Sequence, residues 1–304
     1  MPFVVIRGHF HAQGYSPDGD SLRFAPEQPD LLQRLGGFRI RVNARGHVQL
    51  RMEGIDTLET HYAGPGGVRH QPRTWADAAR MKLLDFAGIT DVEWDVAGNT
   101  VLAAQDGTPG YILSRTIEKN GRPVAFVYAG TSPEADGVEV FLDPDRLQQS
   151  YNQLALRTGL AYPTFYTGLF RDLRDVMAEA STDARAAGIG LWPLDATSSG
   201  FDATSLAVIT NQVCLLPKLF RRLSDYMVST GSAVGFKPRL SQAPEPVLDL
   251  VEQNFTHWDT FVEQAEGGTQ IRLTRLPEQL VFDEMQNQPA NRFTAVMEGE
   301  AVTS

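Results

Sequence analysis

Residues 48–62, VQLRMEGIDTLETHY, predict a β-strand that leads directly into a polar cluster. Val48, Leu50 and Met52 alternate with polar residues, and this period of two is typical of a strand with one buried face. Arg51 lies between two of the apolar positions, so its side chain should leave the strand on the polar face. The same alternation recurs before and after this segment, which favours a sheet at the centre of the fold.

A group of hard oxygen ligands follows the strand. Gly54 ends the regular alternation, and Asp56, Thr57 and Glu59 come directly after it. Carboxylates, a hydroxyl and a main-chain carbonyl at one strand end suit Ca²⁺ or Mg²⁺, whereas zinc prefers histidine and thiolate. Each residue alone is an ordinary turn former. The prediction of a cation site therefore depends on their combination, with the guanidinium of Arg51 beside them.

Length and charge set limits on the class of protein. A chain of 304 residues is longer than most single domains, so we expect two domains of unequal size. The sequence carries 27 basic and 37 acidic residues, which gives a formal net charge of −10. Affinity for nucleic acids comes largely from cations that neutralise phosphates. If the ligand is a polyanion, the positive potential must therefore be local to a cleft.

The single cysteine and the apolar pattern predict a cytoplasmic protein. Cys214 cannot form an internal disulfide, and its apolar neighbours favour a small core residue over a nucleophile. The N-terminal residues lack the pattern of a signal peptide, and no apolar run is long enough to cross a bilayer. We therefore expect a reducing compartment and no membrane partner.

Strands and turns are predicted on both sides of the central segment. Residues 3–13 predict a first strand, and the Asp-Gly pair within 17–20 predicts a tight turn. Residues 38–56 predict a long hairpin whose first arm sends Phe38, Ile40 and Val42 inward. The glycine-rich segment at residues 63–70, AGPGGVRH, predicts a mobile loop.

Three helices and a second hairpin complete the predicted N-terminal domain. The helices cover residues 72–87, 143–159 and about 168–187, with Asp143 as a cap and Pro144 in a first turn. Asn120-Gly121 predicts the tip of the hairpin, and Lys119 and Arg122 flank it.

Taken together and in order, four segments resemble the staphylococcal nuclease (thermonuclease) family. They are DGDS at 18–21, RMEGIDTLET at 51–60, KNGR at 119–122 and the stretch from GLAY to GLW at 159–192. The resemblance covers residues 1 to about 195. It implies an α+β fold, mainly a five-stranded OB-type barrel with three helices packed against it.

The resemblance also implies roles for individual residues. Calcium would be bound by Asp20, Asp56 and the main-chain carbonyl of Thr57, with Asp18 behind them. The residues that match catalytic positions of the family are Arg51, Glu59 and Arg122. Those that match substrate-binding positions are Lys119 and Phe165. Leu58 and Asn120 replace a proline and a tyrosine that are usual in the family, and the loop at 26–47 is longer. These departures concern base and sugar recognition more than the chemistry.

The implied function is hydrolysis of phosphodiester bonds in DNA, RNA or both, dependent on calcium with magnesium as the alternative. Glu59 would act as general base on water, and Arg51 and Arg122 would stabilise the pentacoordinate transition state. Two alternatives stay open: a non-catalytic module that binds nucleic acid or protein, and an effector nuclease that a partner regulates.

Residues 196–304 have no counterpart in the minimal family domain, and we expect a smaller mixed α/β domain there. The predicted elements are a helical segment over 206–228, a second helix over 247–265, strands over 269–285 and a frayed end at 297–304. Among the aromatic residues of the second helix, Phe255, Trp258 and Phe261 should belong to the core.

We hypothesise that the same region limits access to the cleft, or serves a protein partner or self-association. Because charge effects fade within about 8 Å at physiological salt, restriction of the cleft should need direct contact near Arg39, Arg41 or Lys119. On this hypothesis, a chain ending at about residue 195 should cleave faster than the whole protein.

Overall fold

The computed structural model describes residues 2–283 as a mixed α+β fold with a nearly closed, barrel-like sheet and several helices. Residues 284–304, including the end expected to be frayed, lie outside the described residues. Within the described range, no helix is both long and apolar enough to cross a membrane. We call residues 2–195 the N-terminal region and residues 196–283 the C-terminal region.

The elements follow one another with short connections. The strands of the N-terminal region are β1 (Phe3–His11), β2 (Arg23–Pro26), β3 (Gly36–Gly37), β4 (Val48–Gln49), β5 (Arg51–Met52), β6 (Ile55–Thr57), β7 (Tyr62–Gly64), β8 (Gly67–Arg69), β9 (Thr90–Trp94), β10 (Val101–Gln105), β11 (Thr108–Ile117), β12 (Pro123–Ala129), β13 (Glu139–Val140), β14 (Ala161–Pro163) and β15 (Phe165–Tyr166). Those of the C-terminal region are β16 (Phe201–Asp202), β17 (Pro246–Asp249), β18 (Asn254–His257), β19 (Val262–Gln264), β20 (Gln270–Leu273) and β21 (Leu280–Phe282). The α-helices are α1 (Arg73–Phe86), α2 (Pro144–Leu147), α3 (Tyr151–Arg157), α4 (Arg171–Ala186), α5 (Leu206–Asn211), α6 (Pro217–Thr230) and α7 (Phe236–Ser241). Short 3-10 helices cover Pro29–Arg34, Trp192–Leu194, Trp258–Phe261 and Pro277–Gln279.

The segment around Leu50 nearly closes the main sheet. The strand order is β4-β2-β1-β11-β12-β5, with β13 also paired to β1 and β3 to β11. Because β4 and β5 flank Leu50, one continuous stretch pairs with both ends of the sheet: Gln49 lies opposite Arg23, and Arg51 opposite Val124. Val48, Leu50 and Met52 are all buried, so the predicted alternation is confirmed.

The predicted pairing of the hairpin at residues 38–56 is wrong, although Phe38 and Ile40 pack against the core as predicted. Strand β2 takes the place beside β4, and only one isolated bridge, between Val42 and Val48, joins the predicted arms. Residues 38–42 run along the tip of the β11–β12 hairpin instead, where the Arg41 amide donates to the Gly121 carbonyl at 2.9 Å. Val42 is consequently 49% exposed and does not point inward.

Two of the three predicted helices of the N-terminal region are confirmed as α1 and α4, and the one between them is divided. Asp143 caps α2 by accepting the Arg146 amide at 2.8 Å, as predicted. Ser150 then starts α3 by accepting the Gln153 amide at 3.1 Å. A hydroxyl that bonds to nearby amides favours a new helix start over continuation of the helix before it.

The glycine-rich segment predicted to be a mobile loop forms the β7–β8 hairpin. This hairpin contacts helix α6 of the C-terminal region through two polar side chains. Tyr62 donates its hydroxyl to Asp225 at 2.6 Å, and Arg69 forms an ion pair with the same carboxylate. The C-terminal region therefore orders a segment that sequence alone predicts to be mobile.

The predicted helix at residues 247–265 is also wrong. The segment forms β17, β18, the 3-10 helix at Trp258–Phe261 and β19, because β17 pairs with β18 on one side and β21 on the other. Trp258 and Phe261 are buried as predicted, but Phe255 is 69% exposed. Helices α5 and α6 agree with the predicted helical segment over 206–228, and β20 and β21 agree with the strands predicted over 269–285 as far as residue 283.

The N-terminal and C-terminal regions share a hydrophobic core. A single cluster of buried side chains contains Leu58, Tyr162 and Trp192 from the first region together with many residues of the second, including Phe220 and Phe282. Backbone pairing also joins the regions, since β15 lies parallel to β21. The junction between the regions is also held by hydrogen bonds. Tyr162 and Thr197 both donate their hydroxyl groups to Asp195, at 2.8 and 2.6 Å. Each region therefore buries part of its apolar surface against the other.

Cys214 should be unreactive in the folded protein. The side chain is fully buried in the shared core, and burial together with the nearby Asp195 raises the pKa of the thiol to about 12. Because the thiolate is the nucleophile, we expect no labelling by a thiol reagent under native conditions and complete labelling in guanidinium chloride. Rapid stoichiometric labelling of the native protein would contradict this burial.

Candidate active site

A polar cavity of about 520 Å³ lies between the barrel-like sheet and helix α6. It brings together side chains from β5, β6 and its following turn, the β11–β12 hairpin tip and the turn before β2. The predicted site residues that line it are Asp18, Asp20, Arg51, Asp56, Glu59, Lys119 and Arg122. Seven side chains from four separate parts of the sequence thus meet at one place.

Strand β6 places Asp56 at the cavity wall. Gly54, at φ +75°, makes the turn between β5 and β6 in a conformation that favours glycine. The chain then pairs with β14, where Asp56 lies opposite Tyr162. Glu59 follows in a loop that Gln71 fixes, since the Glu59 amide donates to the Gln71 side chain at 3.2 Å. The same side chain donates to the Leu215 carbonyl at 2.8 Å, just before helix α6.

Gly19 allows the acidic turn to approach β6. A Cβ atom at this position would lie 2.7 Å from the Thr57 hydroxyl oxygen, so no larger residue fits. The turn is also held by Tyr151, whose hydroxyl donates to the Gly19 carbonyl at 2.7 Å, and by the Met52 amide, which donates to the Asp20 carbonyl at 3.1 Å. Asp20 is thereby fixed beside β6, where it accepts a long hydrogen bond of 3.4 Å from the Thr57 amide.

Burial and mutual repulsion raise the pKa values of three carboxyl groups at this site, those of Asp18, Asp20 and Glu59. Burial, with repulsion from Asp20, raises the pKa of Asp18 to about 7. Burial, with repulsion from Asp56 and Glu59, does the same for Asp20. For Glu59, burial raises the pKa to about 7 although Arg221 acts in the opposite direction. The cluster therefore gains stability from added positive charge.

The predicted arginines line the same cavity. The guanidinium of Arg51 lies over the Tyr166 ring at 4.5 Å from its centre. Arg122 is held by Glu118, with 3.0 Å between Nε and the carboxylate oxygen. Lys119 is exposed at the hairpin tip between them. These groups bring positive charge to the cavity that the acidic cluster also lines.

The two remaining predicted site residues do not line the cavity with their side chains. The Thr57 hydroxyl is buried and finds no hydrogen-bond partner within residues 2–283. Phe165, predicted to lie near the nucleotide, is fully buried in the core. Because neighbouring side chains on a strand point to opposite faces, the next residue, Tyr166, presents its ring to the cavity instead.

Helix α6 also supplies a side chain to the site, and the sequence patterns did not predict it. Arg221 donates from Nη1 and Nη2 to the two oxygens of Asp56, at 3.1 and 2.8 Å, and also forms an ion pair with Glu59. Burial opposes the charge of Arg221, but Asp56 and Glu59 hold its pKa well above the usual value. The contact from the C-terminal region therefore reaches the acidic side of the cleft, whereas we expected it near Arg39, Arg41 or Lys119.

Lys218 and Arg222 lie on the same face of α6. Both form ion pairs with Glu245, and the Lys218 contact measures 2.5 Å. Burial would raise the pKa of Tyr166, but the charges of Lys218 and Arg51 lower it overall. The i, i+3, i+4 spacing of Lys218, Arg221 and Arg222 is a helical signal that the sequence does contain. It predicts a basic helix face, but not what that face contacts.

The cavity as a whole is lined by six basic and five acidic side chains. Across the described part of the chain, no three histidine, cysteine, aspartate or glutamate side chains are grouped so as to hold a metal ion.

No protein-family model matches the chain, and no curated protein matches it significantly. Inference of a function must therefore depend on the chemistry of the residues that line the cavity.

Proposed function

We propose that the protein is a calcium-dependent nuclease of the staphylococcal nuclease type, built on a five-stranded OB-type barrel within the N-terminal region. Its substrate would be DNA, RNA or both. The observation that carries the proposal is that Arg51, Glu59 and Arg122 line one cavity together with Asp20 and Asp56. Separate segments supply this set, so its assembly is not a trivial result of proximity in the sequence.

The residues present fit a hard divalent cation. Asp20, Asp56 and the main-chain carbonyl of Thr57 would hold it, and all three supply oxygen, as Ca²⁺ and Mg²⁺ prefer. Two features of the structure support this choice. The pKa of Asp20 is raised to about 7, and the buried Thr57 hydroxyl has no hydrogen-bond partner within the described residues. When bound, the cation would supply positive charge to a non-bridging phosphate oxygen.

Glu59 is suited to activate water. A general base works best when its pKa lies near the working pH, and the pKa of Glu59 is raised to about 7. Its side chain is only 13% exposed, so little bulk water competes for the carboxylate. In the proposed reaction Glu59 takes a proton from the attacking water while the water oxygen bonds to phosphorus; the bond from phosphorus to the leaving sugar oxygen breaks, and that oxygen takes up a proton from solvent.

Arg51 and Arg122 are suited to stabilise the charge that develops on the phosphate oxygens. Each guanidinium can donate two hydrogen bonds to phosphate, and each is already held in place, by Tyr166 and by Glu118. Donors fixed before the reaction need no reorganisation as charge builds up. Lys119, exposed beside Arg122, is placed to contact a neighbouring phosphate of the chain.

The electrostatics also support a polyanionic substrate. The whole chain has a formal charge of −10, yet six basic side chains line this cavity. The lowered pKa of Tyr166 indicates a positive potential on the wall formed by Arg51 and Lys218. An acidic protein with a local basic wall can bind nucleic acid there and repel it elsewhere.

Digestion assays test the proposal directly. Single- and double-stranded DNA and RNA are incubated with the purified protein in Ca²⁺, in Mg²⁺ or in EDTA. We expect cleavage that requires a divalent cation, is strongest in Ca²⁺ and tolerates many sequences. Equal cleavage in EDTA would contradict the role of the metal. Binding without cleavage in every condition would favour a non-catalytic binding module instead.

A further inference from the structure

Helix α6 places the guanidinium of Arg221 against Asp56, a carboxylate that the proposed metal ion would bind. Arg221 makes two hydrogen bonds to Asp56 and an ion pair with Glu59. Asp56 is a proposed metal ligand, and its side chain is only 9% exposed. A bidentate pair of this kind uses both carboxylate oxygens at once. While Arg221 holds Asp56, its positive charge and its two hydrogen bonds make that carboxylate a weaker ligand for a metal ion.

The helix itself is anchored firmly. Its start is fixed where the Leu216 amide donates to the Thr197 hydroxyl at 2.9 Å, and its apolar face, which includes Phe220 and Leu223, is fully buried. Gln71 ties the segment before the helix to the loop that carries Glu59. The backbone of Arg221 therefore cannot move far from the site.

The side chain of Arg221, in contrast, has room to move. It is 30% exposed and borders the open cavity of about 520 Å³. A long side chain with several rotatable bonds can leave one ion pair and turn toward solvent while the helix stays in place. The arrangement thus combines a fixed backbone with a displaceable charge.

The neighbouring cations of α6 do not duplicate this contact. Lys218 and Arg222 both pair with Glu245, which lies outside the acidic cluster. Arg221 is the residue of this basic face whose charge is directed to Asp56 and Glu59. A divalent cation and a guanidinium at the same carboxylates would repel one another strongly at such short range. Occupation by one therefore weakens binding of the other.

We propose that Arg221 is an internal competitor of the divalent cation, so that the C-terminal region sets the metal affinity of the site. This inference rests on the proposed nuclease function and adds a residue that the resemblance does not supply. When a metal-competent state is only a minor fraction of the protein, apparent affinity falls by that fraction. If Arg221 holds Asp56 in 90–99% of molecules, its removal should tighten binding by about 10- to 100-fold.

Calcium titration of the full-length protein tests the competition. Isothermal titration calorimetry is performed on the wild type, on Arg221→Met, which keeps an apolar stem without the charge, and on Arg221→Lys, which keeps the charge. We expect Arg221→Met to bind Ca²⁺ about 10- to 100-fold more tightly, and Arg221→Lys to remain closer to the wild type. Arg222→Met is the matched control, because it removes the same charge from the same helix without touching Asp56 or Glu59.

Each outcome has a separate meaning. Equal or weaker calcium affinity in folded Arg221→Met contradicts the competition and leaves the nuclease proposal standing. An equal gain in Arg222→Met also contradicts it, because a general charge effect would then suffice. If neither variant nor wild type binds Ca²⁺ or Mg²⁺ and cleavage persists in EDTA, the metal role in the proposed function fails together with the competition. If Arg221→Met does not fold, Arg221→Gln removes the same charge with a polar side chain, and calcium affinity in that variant equal to or below that of the wild type contradicts the proposal.

Discussion

Glu59→Gln should lower the turnover number of nucleic-acid cleavage by about 100- to 10,000-fold and leave substrate affinity nearly unchanged. The change keeps the size of the side chain but removes its basicity. Since the base acts on water in the transition state, its loss affects turnover more than binding. Steady-state kinetics with a single-stranded substrate, together with a binding measurement in the absence of turnover, would separate the two effects.

Two comparisons distinguish this loss from indirect effects. Glu93→Gln makes the same chemical change at an exposed position of β9 and should leave turnover unaltered. Calcium affinity should not fall in Glu59→Gln, because the proposed ligands are elsewhere and the substitution weakens one of the two contacts that hold Arg221. Turnover within threefold of the wild type would remove Glu59 from the mechanism, and weakened calcium binding would reassign it to the metal site.

Phe282→Ala should destabilise the protein by about 3–5 kcal/mol, a large part of the 5–15 kcal/mol that is typical of a folded domain. Phe282 is 1% exposed in the shared core, and its ring lies 5.9 Å from that of Tyr166. The Nζ atom of Lys218 lies 3.8 Å from the same ring. Removal of the ring would leave a cavity at the contact between the two regions, which urea unfolding followed by circular dichroism would measure.

Phe255→Ala provides the matched control. This phenylalanine belongs to the same sheet but is 69% exposed, so its removal should change the free energy of unfolding by no more than about 0.5 kcal/mol. Similar losses for both substitutions would mean that Phe282 does not belong to a tightly packed core. A small loss for Phe282→Ala with an unchanged slope against urea would lead to the same conclusion.

The shared core also changes how the C-terminal region can be studied. A chain that ends at about residue 195 would expose Leu58, Tyr162 and Trp192, which are now buried against later residues. The expectation that such a chain cleaves faster assumes that it folds alone. A change at Arg221 isolates the contact with the cleft and leaves this core intact, so it is the more direct experiment.

Local sequence patterns predicted the parts of the site that depend on short-range structure. The alternation of Val48, Leu50 and Met52 indicated which side of the strand is buried, and this is confirmed. The Asp-Gly turn and the Asn120-Gly121 tip were predicted from their own residues, and both place charged neighbours at the cavity. In each case the information lay within a few residues of the feature.

Long-range pairing accounts for the failures. Apolar residues at 247, 251, 255, 258 and 262 have helical spacing, yet β17 forms because two other strands lie beside it. Strand pairing depends on what the rest of the chain presents, so local periodicity cannot decide it. Arg221 was missed for the same reason: the basic face of α6 is visible in the sequence, but its contact with Asp56 joins residues 165 positions apart.

The position of Leu50 between β4 and β5 makes this part of the chain intolerant of a change in length. Side chains alternate strictly along a strand, so one inserted or deleted residue between 48 and 53 would send Arg51 into the barrel and Leu50 into water. It would also move Asp56 and Glu59 away from their present positions relative to Arg122. The preceding connection, residues 27–47, can change length at little entropic cost. Natural variation among relatives of this protein should therefore collect insertions before Val48 and hardly any between Val48 and Glu59.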